Sequence, residues 1–397
     1  MVNQGKPRVL FLYDFPLHGG GSGAYVKYLA LRLREAYQYE LMVAAPDHEV
    51  VDSQIPLFTL KLPQIPVYIG RPGLEKSKKY SDLSASEVAE LYHAFVKGTI
   101  AAVEAFKPDL IHAHHIMVNA WAARFIRSVY GTKFILTSHG SCLHAISRDR
   151  RYFRLSRDAL RAASAITVVS GDTRAKLLKT FGTDLSAKTR TIPGGIRLAL
   201  FPPERPNIDR LRQKLGLTGK KIALFTGRII SEKGVEYLVK AAKNINGQVI
   251  LAGDGPQRRH LEALIKERNL SNVTILPFVR RYEEFLDLYY LADVFVSPAV
   301  WDEPLGLTVI EAMATKTPVV VTRKGGVTMA VKDGVNGIFV RPRNSSEIVG
   351  AVNRLFANPS LCQKMGERGR VVVEKRFTWT KIAERFDKLY RDIFLHR

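Results

Sequence analysis

Short apolar runs of four to six residues recur along the chain, and those of the first series end in Gly, Ser, His or Asp. The first is RVLFLYD at 8–14, followed by PLHGGGSG and a helix-like stretch from Ala24 to Leu33. KPDLIHAHH at 107–115, KFILTSHG at 133–140 and AITVVSGDT at 165–173 repeat the pattern. A second series starts near residue 220 with KIALFTGR at 221–228 and a helix from about Val235. It continues with QVILAGDG at 248–255, a helix containing Leu261 and Leu264, NVTILPF at 272–278, DVFVSP at 293–298 and PVVVT at 318–322. Continuous apolar strands separated by helical stretches predict parallel sheets covered on both faces. In such sheets ligands sit at the carboxyl ends of the strands, so the polar tips are the candidate site. FPPERPN at 201–207, with three prolines, suits a linker between two doubly wound α/β domains whose strand ends face a central cleft. Residues 56–99 read as a loop excursion carrying Lys61, Arg71, Lys76, Lys78 and Lys79, with a helix from Ala85 to Ile100.

A chain of 397 residues accommodates two such domains with a core each. Its 60 Lys+Arg against 37 Asp+Glu give a formal charge of +23, a field that attracts nucleotides, sugar phosphates, nucleic acid or anionic lipid alike. No zinc finger, basic zipper or aromatic-basic RNA motif accompanies that charge, so nucleic acid is not the expected partner. Cys142 and Cys362 are too few for a disulfide framework or a metal cluster and fit a reducing compartment. The apolar run before Asp14 is too short for a secretory signal, and no segment approaches the roughly 20 apolar residues of a spanning helix. The expectation is a cytoplasmic protein, soluble or peripheral at the inner face of a membrane.

Five groupings could carry chemistry. Gly19, Gly20, Gly21 and Gly23 follow the first strand, where closely spaced glycines let amides approach a phosphate, or simply make a tight turn. Arg228 and Lys233 lie between a strand and a helix, where two cations hold a diphosphate and stabilise the charge that grows on it. Glu303 lies in a loop, and Glu311 on the apolar helix LTVIEAMA, where a carboxylate needs a partner. Amides at the start of that helix, near Gly306 and Leu307, could take an anion. His112, His114, His115 and His139 lack nearby acidic or cysteine ligands, so metal is not expected. Arg150, Arg154, Arg157 and Arg161 are spaced to share one helix face, with Phe153 and Leu160 on another. That face is either an ordinary solvated surface or a contact for an anionic acceptor or membrane.

Taken together, GGGSG at 19–23, TSHG at 137–140, IPGGI at 192–196, GRIISEKG at 227–234 and LAGDGP at 251–256 resemble the retaining GT-B glycosyltransferases of the group 1, family 4 type. So do EPLGLTVIEAMA at 303–314, PVVVTRKGG at 318–326, NGIFVRP at 336–342 and RFTWTKIAERFDKLY at 376–390. The resemblance covers nearly the whole chain, and its most specific part is the pair of glutamates separated by seven residues. Leu305 stands where the family usually has phenylalanine, and Gly194-Gly195 where proline-asparagine-glycine is common.

The resemblance implies an acceptor-binding domain at 1–200, a nucleotide-sugar-binding domain at 201–375 and a C-terminal helix at 376–397 that returns to the first domain around Phe377, Trp379 and Tyr390. It implies that Arg228 and Lys233 bind the diphosphate, Glu311 the ribose, and Glu303 the hydroxyls of the transferred sugar. It further implies that Gly20 and Gly21 lie against the diphosphate, that His139 lies near the sugar, and that Gly306, Leu307 and Thr308 supply amides to the phosphate. The implied reaction moves a hexose, glucose or mannose, from a nucleotide diphosphate sugar to a hydroxyl of a sugar, sugar phosphate, glycan or lipid-linked acceptor. It proceeds with retention and without metal or another cofactor. A nucleotide-sugar 2-epimerase and a non-catalytic nucleotide-sugar-binding protein are the rival readings, and an acceptor-dependence assay separates them.

Overall fold

The computed structural model describes residues 5–17, 20–48, 52–65, 67, 78–204, 208–276 and 282–395. Gly19, Arg71 and Lys76, together with parts of 201–207 and 272–278, lie outside them. The chain divides into two compact units, one of residues 1–194 and 379–397 and one of residues 195–378. The division falls at Gly194-Gly195 and not in the proline-rich stretch after it. Phe201 is buried in unit 2, and its carbonyl accepts a 2.6 Å bond from the Arg370 guanidinium.

Unit 1 is built on β1 (Arg8–Leu12), β2 (Glu40–Ala45), β3 (Leu57–Thr59), β4 (Leu110–His114), β5 (Lys133–Ser138), β6 (Ala165–Val168) and β7 (Thr189–Thr191). All are parallel, in the order β3-β2-β1-β4-β5-β6-β7. The helices are α1 (Gly21–Tyr37), α2 (Ala85–Phe106), α3 (Val118–Tyr130), α4 (Ser141–Arg148), α5 (Phe153–Ala162) and α6 (Gly171–Phe181). α1 and α2 run longer than their apolar periodicity alone indicates. α2 starts at a capping box in which Ser84 and Glu87 satisfy each other's backbone amides, and Ser170 caps α6 in the same position.

Unit 2 contains α7 (Ile208–Lys214), β8 (Ile222–Thr226), α8 (Val235–Ala241), β9 (Gln248–Ala252), α9 (Arg258–Glu267), β10 (Val273–Leu276) and α10 (Tyr282–Leu291). It continues with β11 (Val294–Ser297), α11 (Leu307–Ala314), β12 (Val319–Thr322), β13 (Gly337–Val340), α12 (Ser345–Phe356) and α13 (Pro359–Arg376). Its parallel sheet runs β10-β9-β8-β11-β12-β13. β8 and β12 are buried along their whole length, as strands covered on both faces must be.

α14 (Trp379–Leu395) belongs to unit 1 and packs on α1. Trp379, Ile382, Ala383, Phe386 and Tyr390 form its buried face. Phe377 remains in unit 2, where its carbonyl accepts from the Ile196 amide. Each sheet reverses its strand order once, between β1 and β4 in unit 1 and between β8 and β11 in unit 2. A crevice opens at that point because the flanking connections leave in opposite directions.

Candidate functional site

In unit 2 the reversal point gathers charge. The backbone after β8 runs beside that after β9, with the Gly227 amide bonded to the Ala252 carbonyl and the Ile229 amide to that of Asp254. It then forms a short 3-10 turn, Ser231–Lys233, and Gly234 takes a left-handed conformation to start α8. A Cβ at Gly234 would lie 2.2 Å from the Pro298 carbonyl, so only glycine lets this turn approach the loop after β11. That loop carries Glu303. Lys233 Nζ lies 2.5 Å from Glu303 Oε1, and the Trp301 indole N–H donates to the same oxygen at 2.7 Å. Burial acts to raise the Glu303 pKa, yet Lys233, Trp301 and the charge of Arg228 together hold it below the ordinary carboxylate value. Gly306, also left-handed, begins α11, which leaves the amides of Leu307 and Thr308 in its first turn without a side-chain cap. Glu311 lies one turn further on, and the buried Tyr289 hydroxyl donates to its Oε2 at 2.6 Å.

In unit 1 the same kind of position is lined with rings. The loop after β1 is held by a bond from the Leu17 amide to Asp47 and folds against Gly23, where a Cβ would meet the Leu17 carbonyl at 2.3 Å. α1 therefore starts at Gly20-Gly21, and its Tyr25 ring packs edge-on against His139, with centroids 5.0 Å apart. His139 Nε2 lies 3.1 Å from His114 Nδ1. Burial, reinforced by His115 and His112, holds the His139 pKa well below the ordinary value, so its ring is neutral at pH 7. His112 bridges Tyr390 of α14 and Thr137, both at 2.6 Å, which makes it a tie between the sheet and that helix. Asp14 and His115 are buried with 3.9 Å between Oδ1 and Nε2, and neither atom has a hydrogen-bond partner among the described residues. Burial pushes the Asp14 pKa up to about 8 and the His115 pKa down to about 3.

The carboxyl-terminal part of the chain, residues 207–372, matches the family model for glycosyl transferases group 1, and residues 19–200 match that for glycosyltransferase family 4. An uncharacterised glycosyltransferase of Methanocaldococcus jannaschii is 31% identical over 301 residues, which span 72% of this chain and 75% of the relative. The chain belongs to the group 1 glycosyltransferases. The alpha-D-kanosaminyltransferase of Streptomyces kanamyceticus is 35% identical over 191 residues, 47% of this chain and 49% of that protein. Among solved structures, sucrose-phosphate synthase of Thermosynechococcus elongatus superposes with a TM-score of 0.82 at 26% identity, over 99% of this chain and all of the other. The two Rossmann-like units are those of the GT-B fold. The glycosyltransferase moves a sugar from a nucleotide-sugar donor to an acceptor.

Within unit 2 the structure of the glycosyltransferase brings Arg228, Lys233, Glu303 and the start of α11 to one reversal point, and within unit 1 Gly20 and Gly21 open α1, whose Tyr25 packs on His139. The arginine stripe is not one helix face. Asp149 accepts from the Arg151 amide and opens a 3-10 turn at Arg150–Tyr152, so Arg150 precedes α5. Its guanidinium lies 4.0 Å from the Phe153 ring centroid. Arg161 pairs with Asp184, Arg157 is half-buried, and Arg154 is exposed. Sequence reasoning missed Trp301, Tyr289 and Asp14. An aromatic two positions before Glu303 was the one available signal, because an indole N–H there can reach the carboxylate. Among the described residues, no group of three or more His, Cys, Asp or Glu is placed to hold a metal ion. No helix among them is long and apolar enough to cross a membrane.

Proposed function

We propose that this glycosyltransferase transfers a hexose, glucose or mannose, with retention of anomeric configuration, from a nucleoside diphosphate sugar held by unit 2 to an acceptor hydroxyl held by unit 1. The observation that carries the reading is the Lys233–Glu303 pair at the unit 2 reversal point, beside Arg228 and the uncapped start of α11. Without donor, Lys233 and Glu303 neutralise each other. When the donor binds, Lys233 and Arg228 turn to the diphosphate, and the amides of Leu307 and Thr308 take its oxygens. Glu303 accepts from the hydroxyls of the hexose and Glu311 from those of the ribose. Gly20 and Gly21, with no Cβ, leave the amides at the start of α1 open to a phosphate oxygen of the donor. His139, neutral and tied through Nε2 to His114, hydrogen-bonds the sugar without adding positive charge.

As the C–O bond to the phosphate breaks, positive charge develops on the anomeric carbon and negative charge on the leaving oxygens. The cations and amides of unit 2 stabilise the second. The acceptor oxygen attacks from the leaving-group face, and the departing phosphate oxygen takes its proton, so no side chain serves as covalent nucleophile. The donor is identified by thermal stabilisation with UDP-, GDP- and ADP-linked hexoses, since binding to the folded state raises the midpoint. With that donor, Arg228→Ala and Lys233→Ala should each reduce transfer by ~100-fold. Near-normal turnover in both variants, or an inverted anomer in the product, would overturn the reading.

An acceptor presented at an anionic membrane surface is the second reading, carried by the outer side of α3 and α5. Phe125, Val129, Tyr130 and Leu155 are four of the six exposed large hydrophobics among the described residues, and all lie on these two packed helices. Arg154 precedes Leu155 directly, Arg150 lies in the turn before α5, and both are exposed. Apolar side chains bordered by arginine suit the boundary between lipid headgroups and acyl chains.

A further inference from the structure

The carboxylate assigned to the ribose is held by a chain of hydroxyls that none of the family motifs contains. Tyr289 lies on α10 and is fully buried. Phe295 of β11 packs on its ring at a centroid distance of 5.7 Å, and Phe285, one turn earlier, packs edge-on at 5.9 Å. Its carbonyl accepts from the Thr317 hydroxyl at 2.9 Å, so backbone and ring are both anchored. The phenol oxygen lies 2.6 Å from Glu311 Oε2 and 2.8 Å from Thr226 Oγ1.

The direction of the chain follows from chemistry. An ionised carboxylate only accepts, so Tyr289 donates to Glu311 and its own oxygen accepts from Thr226. Thr226 is buried at the end of β8, two residues before Arg228. The chain of hydroxyls therefore ties the strand that presents the diphosphate cation to the helix that presents the ribose carboxylate.

We infer that Tyr289 is a positioning residue for the donor ribose: by holding one oxygen of Glu311 it sets the plane of the carboxylate and makes the site selective for a nucleotide with a 2′-hydroxyl. This rests on the proposed donor role of Glu311. A long carboxylate free to rotate still attracts a ribose but loses geometric selection. A carboxylate fixed by a short bond in a buried chain discriminates against the analogue lacking the hydroxyl, because its acceptor is then left unmatched.

The test is isothermal titration of the full chain with UDP, GDP and ADP and with their 2′-deoxy counterparts. In the wild type the tightest of the three ribonucleotides should exceed its deoxy form by ~tenfold, as expected for one lost bond to a charged group. Tyr289→Phe keeps the ring packing and should weaken the ribonucleotide while barely changing the deoxynucleotide, so that the ratio falls toward unity. Thr226→Val, a second variant that preserves strand shape, should move the ratio the same way by less. A purely structural role for Tyr289 would weaken both nucleotides equally.

Glu311→Gln separates the two levels of the argument. If it keeps the wild-type ratio, or if the wild type binds none of the three, the donor reading of Glu311 fails. If Glu311→Gln loses the ratio while Tyr289→Phe and Thr226→Val, folded as judged by their thermal midpoints, keep it, the positioning role alone is overturned. Should Tyr289→Phe fail to fold, a wild-type ratio in Thr226→Val overturns it.

Discussion

Glu303 is held from three directions. Its side chain meets Lys233 and Trp301, and its carbonyl accepts from the Gly326 amide at 2.6 Å. From the third direction Gly325 approaches its backbone closely. Gly325 has φ +69°, and a Cβ there would stand 2.2 Å from the Glu303 carbonyl. Gly325→Ala must move one of the two loops. The expected cost is about 1–3 kcal/mol of stability, read by urea unfolding, together with a loss of transfer of ~100-fold as Glu303 is misplaced. Activity within threefold of wild type would show that the loop tolerates the shift. At this scale the sequence was partly legible. Arg228, Lys233 and Glu303 were marked by residue type at strand tips, where a charge has a reason to be. Tyr289 could not be marked, because it is 22 residues from Glu311 and looks like any aromatic in an apolar helix until α10 and α11 are packed.

At the level of elements, helix caps and periodicity were readable while helix neighbours were not. The 379–390 stretch shows an amphipathic face in its spacing, but that its Tyr390 hydroxyl meets His112 depends on where the helix docks. The arginine stripe shows the converse. Its spacing assumed one continuous helix, and the Asp149 turn broke it. What α3 and α5 present instead is a mixed apolar and basic surface. Co-sedimentation at low salt should therefore draw the wild type onto vesicles containing phosphatidylglycerol and not onto neutral ones. Replacing Phe125 and Leu155 by Ser should weaken it about as much as replacing Arg150 and Arg154 by Gln, since about 1 kcal/mol per basic residue is comparable with a partly buried apolar side chain. Equal partition of wild type and both variants would end the membrane reading.

For the whole molecule, buried titratable groups of unit 1 make stability depend on pH with a worked sign. His112 and His115 are buried neutral, with pKa values near 3 against an ordinary 6.5. The unfolded chain binds protons on them first, so their contribution is full above about 6.5 and is lost as pH falls toward 3. Asp14 works the other way. Its pKa near 8 means that the folded state keeps a proton the unfolded chain has released, so stability falls as pH rises from about 4 to 8. Below 6.5 the histidines outnumber the aspartate, and just above it Asp14 is the one of these three still changing its proton, which places the maximum near pH 6.5. Thermal midpoints of the full chain between pH 4 and 9 should trace this peak. Asp14→Asn should flatten its alkaline side and raise the midpoint at pH 8, and an unchanged alkaline slope would contradict the account.

The sequence by itself determined that the central strands are parallel and buried on both faces, that their tips are polar, and which residue types stand there. These are local properties, set by composition and period within a few residues. Only the tertiary structure decided which tips are neighbours. An apolar strand such as IALFT pairs equally well with any other, and right-handed crossovers permit several strand orders. Placing β8 beside β11 brought Lys233 to Glu303, and placing β1 beside β4 brought Asp14 to His115. The shifted pKa values belong to the same level, since desolvation depends on every element packed around a group and not on the residues beside it in the chain.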